Sequence, residues 1–392
     1  MIHGGDVYTN GLLKGRELID YSSNINPLGV PSSFIDNISE AVNALTRYPD
    51  IQYRDVLKAL EYYTDCRSEY FVLGNGAAEI IDLVIACHKS LLIVVPSFVE
   101  YEIDAKRCNC NIEYSYLKKH PNLEENQNLK KYLHSKESSR DNGLFNQEYA
   151  EFFYDYEDIL NKLQNLQGVI LGNPNNPNGN IIDKAKFKKI LEYCESNNKT
   201  IIIDEAFIEF TGELHHSFVE EVKTYKCLFI IRALTKFYAV PGIRFGYGVS
   251  SNSDLLKRIK EKQNPWNINC FAEVAVRYVL KDSSYIEKSK EWIREERPSF
   301  LKALKNIYFI DEVLLSHGNY ILCKLKESVF AKEVEFTNGK ASEVLYKLCL
   351  KEGFLIRKCD NYRGLDGDYI RLAIKDKVSN EKLLAMFGRL RF

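Results

Sequence analysis

Five short apolar runs, each passing into a polar or glycine-bearing loop, restrict the folds open to this chain. They cover residues 70–73, 91–95, 168–171, 201–203 and 227–231. Uninterrupted apolar runs of this length suit strands buried on both faces. The amphipathic stretches between them suit covering helices, and together they predict an α/β fold with a mostly parallel sheet. In such sheets ligands bind beyond the carboxyl ends of the strands. Function therefore has to be sought in the loops that follow these runs.

Composition sets limits around that reading. With 392 residues and 45% hydrophobic content, the chain has apolar surface for a large core and length for one large and one smaller domain. A net charge of -1 argues against a nucleic-acid or anionic-membrane partner. The opening Met1-Ile2-His3-Gly4-Gly5-Asp6 lacks the basic and apolar segments of a signal peptide. No apolar run approaches the roughly 20 residues of a membrane span. The ten cysteines are scattered, with Cys108-Asn109-Cys110 the only close pair, and the seven histidines do not cluster. No metal is expected, and the expected compartment is the reducing cytoplasm.

The loops themselves carry a recognisable set of groups. The run at 227–231 leads into Arg232-Ala233-Leu234-Thr235-Lys236 and on to Pro241-Gly242-Ile243-Arg244. The run at 201–203 ends in Asp204-Glu205, and that at 168–171 precedes Asn173-Pro174-Asn175-Asn176-Pro177-Asn178-Gly179. A Schiff-base enzyme needs an amine for the cofactor aldehyde, a carboxylate to keep the pyridine nitrogen protonated, and donors for the ring phenolate and the phosphate. Lys236, Asp204, Asn176 and Arg244 are the residue types for those four tasks. Gly74-Asn75-Gly76-Ala77-Ala78 leads into an apolar helical pattern, which puts free N–H groups where a phosphate is favoured. Two further arginines, Arg357 and Arg371, sit on or beside apolar C-terminal runs. Burying them is costly unless an anion pairs with them, which suggests a substrate with two acidic groups.

In order and neighbours these motifs resemble the fold-type-I pyridoxal phosphate enzymes of the aspartate aminotransferase superfamily, over essentially the whole chain. The resemblance implies pyridoxal 5'-phosphate as cofactor, with Ala77, Ala78 and Thr235 at its phosphate and Phe98 stacked on its ring. Ala233 departs from the pattern, since relatives often supply a phosphate-binding hydroxyl there. The implied organisation is a large domain over 48–281, interrupted by a surface insertion at 118–158, and a smaller α+β domain from 1–47 and 282–392.

A narrower resemblance rests on His3-Gly4-Gly5-Asp6, Tyr21-Ser22-Ser23-Asn24-Ile25-Asn26-Pro27-Leu28-Gly29, Arg47-Tyr48-Pro49, Asn264-Pro265-Trp266-Asn267 and Asn361-Tyr362-Arg363-Gly364-Leu365-Asp366. These are similar to the threonine-phosphate decarboxylases of cobamide biosynthesis. That family implies Arg371 at the substrate carboxylate, Arg357 with His3 and Asn24 at the substrate phosphate, and Asn176 beside both ligands. It also implies Tyr48 reaching the cofactor phosphate of a second subunit, hence a homodimer with shared sites. The reaction implied is decarboxylation of threonine phosphate to 1-amino-2-propanol phosphate, or of serine phosphate to ethanolamine phosphate. The residues alone leave open an aminotransferase acting on histidinol phosphate, because both reactions use the same four groups. A cofactor-sensing regulator is disfavoured, since the motifs begin at His3 and leave no room for a DNA-binding domain ahead of them.

Overall fold

The computed structural model describes residues 3–120, 149–337 and 339–392. Its centre is a seven-stranded sheet of β1 (Phe71–Gly74), β2 (Ser90–Val95), β3 (Asn111–Tyr116), β4 (Gly168–Gly172), β5 (Thr200–Asp204), β6 (Leu228–Ala233) and β7 (Gly246–Val249). The spatial order is β1-β7-β6-β5-β4-β2-β3. The contacts among β6, β5, β4, β2 and β3 are parallel, and β7 runs antiparallel to both its neighbours. Strands β4, β5 and β6 are buried at every position. That is why the sequence shows continuous apolar runs here and no alternation.

Period-two geometry sends alternate residues of these strands to opposite faces. Ile93, Ile170, Ile202 and Ile231 join one core cluster, while Leu92, Val94, Leu171, Ile201, Ile203 and Ile230 join the other. Helix α1 (Ala77–Ile85) packs into the first cluster through Ile80, Ile81, Val84 and Ile85. Helix α2 (Glu100–Arg107) follows β2 and adds Tyr101 and Ala105 to the same side.

A long helix, α3 (Ser283–Lys305), leads to a second sheet of β8 (Ile310–Val313), β9 (Tyr320–Leu325), β10 (Arg357–Lys358) and β11 (Tyr369–Ala373). Its order is β8-β9-β11-β10, and all its contacts are antiparallel. The N-terminal segment is tied to this region. Ile19–Asp20 pairs in parallel with Phe354–Leu355, and Ala373 donates its N–H to the Tyr21 carbonyl at 2.9 Å.

The expectation of a surface insertion over 118–158 needs correction at its C-terminal end. Glu151–Phe153 pairs with Lys118–His120, and Ala150, Phe152 and Tyr154 are buried in the main core. The Tyr154 hydroxyl donates to the Gly172 carbonyl at the end of β4. Sequence misplaces this stretch because its charged surroundings mask a short apolar alternation. Residues 121–148 lie outside the described part. No described helix is long and apolar enough to cross a membrane. Among the described residues no group of three or more His, Cys, Asp or Glu could hold a metal ion.

Candidate active site

Because β6 and β7 are antiparallel neighbours, the chain between them makes one tight excursion at the carboxyl end of β6. Residues 234–245 form that excursion, and Lys236 and Arg244 lie on it. The Lys236 peptide is pinned by the N-terminal segment. Its carbonyl accepts from Asn26 N–H at 3.1 Å, and Asn26 Nδ2 holds the Phe237 carbonyl at 2.8 Å. Burial, reinforced by the nearby charges of Arg371 and Arg244, pushes the Lys236 ammonium down to about 8. An amine so placed is available as a nucleophile near neutral pH.

Asp204 ends β5 at the cavity floor and is 9% exposed. Tyr101 Oη donates to its Oδ2 at 2.6 Å and Ala206 N–H to its Oδ1 at 3.0 Å. Burial raises the carboxyl pKa, against the opposing pull of these two donors. Both donors are neutral, so a cationic ring nitrogen opposite this carboxylate would meet its unfilled need. Tyr101 was not singled out in the sequence. The available signal was its place three residues after Phe98, on the first turn of α2. Phe98 is half-buried, with its ring edge-on to Tyr101 at 5.8 Å.

Beside Lys236 lies an anion cradle. Gly76 has φ of +87°, and a Cβ there would stand 2.5 Å from Arg244 Nη2. A glycine is therefore required for the guanidinium to lie against the start of α1, where Ala77 and Ala78 present free N–H groups. Thr235 is buried in the same wall, and Ala233 contributes no hydroxyl. Phosphate fits this cradle: it offers a helix N-terminus, an arginine and a hydroxyl.

The opposite wall comes from the second sheet. Arg357 on β10 and Arg371 on β11 are register partners, so both side chains leave the same face. They are 4% and 5% exposed. Arg371 donates through Nη1 to Asn176 Oδ1 and through Nη2 to the Ser22 carbonyl at 2.7 Å, while its buried Nε has no partner. Arg357 Nη2 donates to Asn361 Oδ1 at 2.8 Å. Asn176 Oδ1 also accepts from Tyr362 Oη at 3.2 Å, which leaves its amide NH₂ as the group it can offer a ligand.

One cavity of about 250 Å³ gathers most of the residues singled out in the sequence: Lys236, Asp204, Asn176, Ala77, Ala78, Phe98, Thr235, Arg244, His3, Asn24, Arg357 and Arg371. Among the described residues its lining carries Lys236, Arg244, Arg357 and Arg371 against a single carboxylate, Asp204. Such a wall is built for a polyanion. Asn24 is buried with an unpartnered Oδ1. His3 reaches the rim, where Nε2 stands 2.8 Å from Glu100 Oε1. Tyr48 is the exception: it is 78% exposed, lies against Trp266 at 4.8 Å and does not line this cavity within one chain.

Comparison with known proteins agrees with this geometry. The aminotransferase class I and II family model matches residues 16–387. A protein provisionally named threonine-phosphate decarboxylase from Caldanaerobacter subterraneus subsp. tengcongensis is 38% identical, covering 97% of this chain and 92% of that protein. The threonine-phosphate decarboxylase of Salmonella typhimurium is 30% identical over 98% of this chain and 94% of its own length. Among solved structures, the histidinol-phosphate aminotransferase from Clostridium acetobutylicum superimposes with a TM-score of 0.81 at 46% identity, covering 95% of this chain and 98% of that one. With the lysine and the buried carboxylate at the ends of parallel strands and the anion cradle beside them, the chain belongs to the aminotransferase class I and II family.

Proposed function

We propose that this chain is a pyridoxal 5'-phosphate-dependent carboxy-lyase acting on a phosphorylated amino acid. It would convert L-threonine O-3-phosphate to (R)-1-amino-2-propanol phosphate, and L-serine O-phosphate to ethanolamine phosphate, supplying the linker of the cobamide nucleotide loop. The observation that carries this reading is the charge of the cavity, whose described lining holds four basic side chains and one carboxylate, with Arg357 and Arg371 side by side. A cofactor phosphate accounts for one anion, and a substrate with a carboxylate and a phosphate accounts for two more. The names of the relatives at 38% and 30% identity support the same chemistry.

When bound, the cofactor supplies an aldehyde for the substrate amine and a ring that draws off the electron pair of a breaking bond. The protein's part is binding, orientation and proton control. Lys236 is the amine that holds the cofactor, and with a pKa near 8 it can return a proton to Cα after CO₂ departs. Asp204, fixed by Tyr101 and Ala206, holds a proton on the ring nitrogen. Ala77, Ala78, Thr235 and Arg244 take the cofactor phosphate, Asn176 the phenolate and Phe98 the ring face. Arg371 takes the substrate carboxylate, and Arg357, with His3 and Asn24, takes the substrate phosphate; all four line the cavity. By holding both ends of the substrate, Arg357 and Arg371 would fix its orientation at Cα, and that orientation would decide between loss of CO₂ and loss of a proton.

Two arrangements complete the reading. The two sheets support a large domain over 48–281 and a smaller one from 1–47 and 282–392. The exposed apolar side chains Leu28, Val30, Ile35, Val42, Leu45 and Ile51 flank Tyr48 in sequence, which supports a homodimer that brings Tyr48 to the partner's cofactor phosphate. We place the enzyme in the cytoplasm, where its ten free thiols would stay reduced.

A second reading, a histidinol-phosphate aminotransferase, is favoured by the 46% identical structure of that name. Incubating the pure protein with O-phosphothreonine, O-phosphoserine or histidinol phosphate, with and without 2-oxoglutarate, separates the two. CO₂ release that needs no keto acid is the expected result. Keto-acid-dependent amine transfer without CO₂ would replace the first reading by the second.

A further inference from the structure

The loop between β10 and β11 holds two side chains that the proposed reaction leaves unused. Tyr362 is 4% exposed and stands between the two arginines. The Arg357 guanidinium lies 5.4 Å from its ring centroid, and Arg371 Nη1 donates to its hydroxyl at 3.4 Å. One ring thus turns its face to the arginine proposed for phosphate and its hydroxyl to the arginine proposed for carboxylate. It is a rigid wall, with only two rotatable side-chain bonds.

The next residue fixes that wall in space. Arg363 donates through Nε to Glu102 Oε2 at 2.8 Å and through Nη2 to Oε1 at 2.7 Å, a fork-on-fork geometry that sets direction as well as distance. Its guanidinium also covers the Tyr114 ring of β3 at 4.2 Å. The hydrogen bond from Arg363 is the main reason the Glu102 carboxyl is held down to about 2, so the pair stays ionised at any ordinary pH. Glu102 belongs to α2, beside the Tyr101 that holds Asp204. The loop is thereby anchored to the cofactor side of the cavity, across from the sheet it belongs to. Arg363 is 39% exposed and Glu102 19%, so solvent screens the pair and reduces what it adds to folding. Its value lies in position.

Building on the phosphoamino-acid reading above, we propose that Tyr362 is a specificity-determining residue that sets the separation between the two anions of one substrate, and that the Arg363–Glu102 pair positions it. The cavity then accepts an amino acid whose phosphate sits on the β-carbon oxygen and rejects one whose chain is a methylene longer. Without the wall, the phosphate could settle at more than one distance from Arg371.

The test compares kcat/KM for O-phosphothreonine with that for O-phosphohomoserine in the holoenzyme. The expected results are a preference for the shorter substrate in the wild type and a fall in that ratio of roughly tenfold or more in Tyr362→Ala. Tyr362→Phe keeps the ring, so the ratio should hold within about threefold while KM for O-phosphothreonine rises roughly tenfold from the lost hydroxyl contacts. Arg363→Ala should raise KM and lower the ratio with kcat little changed, and Arg363→Lys should recover part of both. A purely structural role would depress kcat for both substrates alike and leave the ratio unmoved. An unchanged ratio in Tyr362→Ala, in an enzyme that still releases CO₂, overturns this inference alone. If the wild type releases no CO₂, the decarboxylase reading falls, and the same ratio is read from binding, as the concentration of each phosphoamino acid that perturbs the visible cofactor band. No perturbation of that band by either compound in the wild type would remove both.

Discussion

Arg232 and Arg371 are buried to nearly the same degree, at 3% and 5% exposure, yet their surroundings differ in kind. Arg232 sits on β6 with every arm committed. Nε pairs with Glu205 at 2.9 Å, Nη1 with Glu209 at 2.9 Å, and Nη2 donates to Ser217 Oγ at 2.7 Å. Arg371 meets neutral oxygens of Asn176 and Ser22 and keeps a buried Nε without a partner. The first cation was desolvated together with its counter-charges. The second was desolvated to await one. A buried arginine that the protein itself neutralises is architecture, whereas one left with neutral partners beside a cavity is a site for an anionic ligand.

The contrast is open to experiment, starting with the largest effect. Lys236→Ala should abolish turnover and the visible cofactor band while the fold persists by circular dichroism. Persistence of the band would show that another lysine holds the cofactor. The same variant tests the local charge balance. Because burial depresses Lys236 from an ordinary 10.5 to about 8, the unfolded chain binds this proton more tightly than the native one. Apo-protein stability should therefore rise as pH climbs from 8 toward 10.5, and melting curves of Lys236→Ala should lack that rise.

Next in size is Arg232→Ala, which strands Glu205 and Glu209 in the core and should cost about 3–5 kcal/mol in urea unfolding. Arg371→Ala should behave in the opposite sense. Apo stability should change by less than about 1 kcal/mol, while kcat/KM for the carboxylate-bearing substrate falls roughly thirtyfold or more. Equal loss of stability in both variants would show that Arg371 is as much a part of the architecture as Arg232. The smallest effect expected is that of Tyr101→Phe. Removing the 2.6 Å hydrogen bond to Asp204 should weaken cofactor retention roughly tenfold, measured by dialysis against free cofactor.

How much of this was legible in the chain follows from distance along it. Five strands of the main sheet were readable, because an unbroken apolar run such as Ile201-Ile202-Ile203 has few other destinations; Asn111–Tyr116, with exposed positions, and the short Gly246–Val249 were not, nor was the strand order. That Asp204, Asn176 and Lys236 share one cavity was readable, because each follows such a run and topology delivers strand ends to one edge. Tyr101 and Tyr362 were not, since a tyrosine in a helix or loop carries no sign of the carboxylate or arginine it will meet. Neither the Glu100 contact of His3 nor the exposure of Tyr48 in a single chain leaves a trace in local pattern. The stretch 149–156 was misjudged for the same reason: its burial depends on pairing with Lys118–His120, which local composition does not reveal.

The sequence by itself determined five strands of the main sheet, the strand-end positions of Lys236, Asp204 and Asn176 and the glycine turn at Gly76, because period, apolar content and backbone freedom act over a few residues. The tertiary structure alone decided which charges became partners. Arg232 received Glu205 and Glu209, and Arg371 received an open cavity. The physical reason is that the cost of a buried charge depends on the few ångströms around it, and those neighbours come from parts of the chain that only folding brings together.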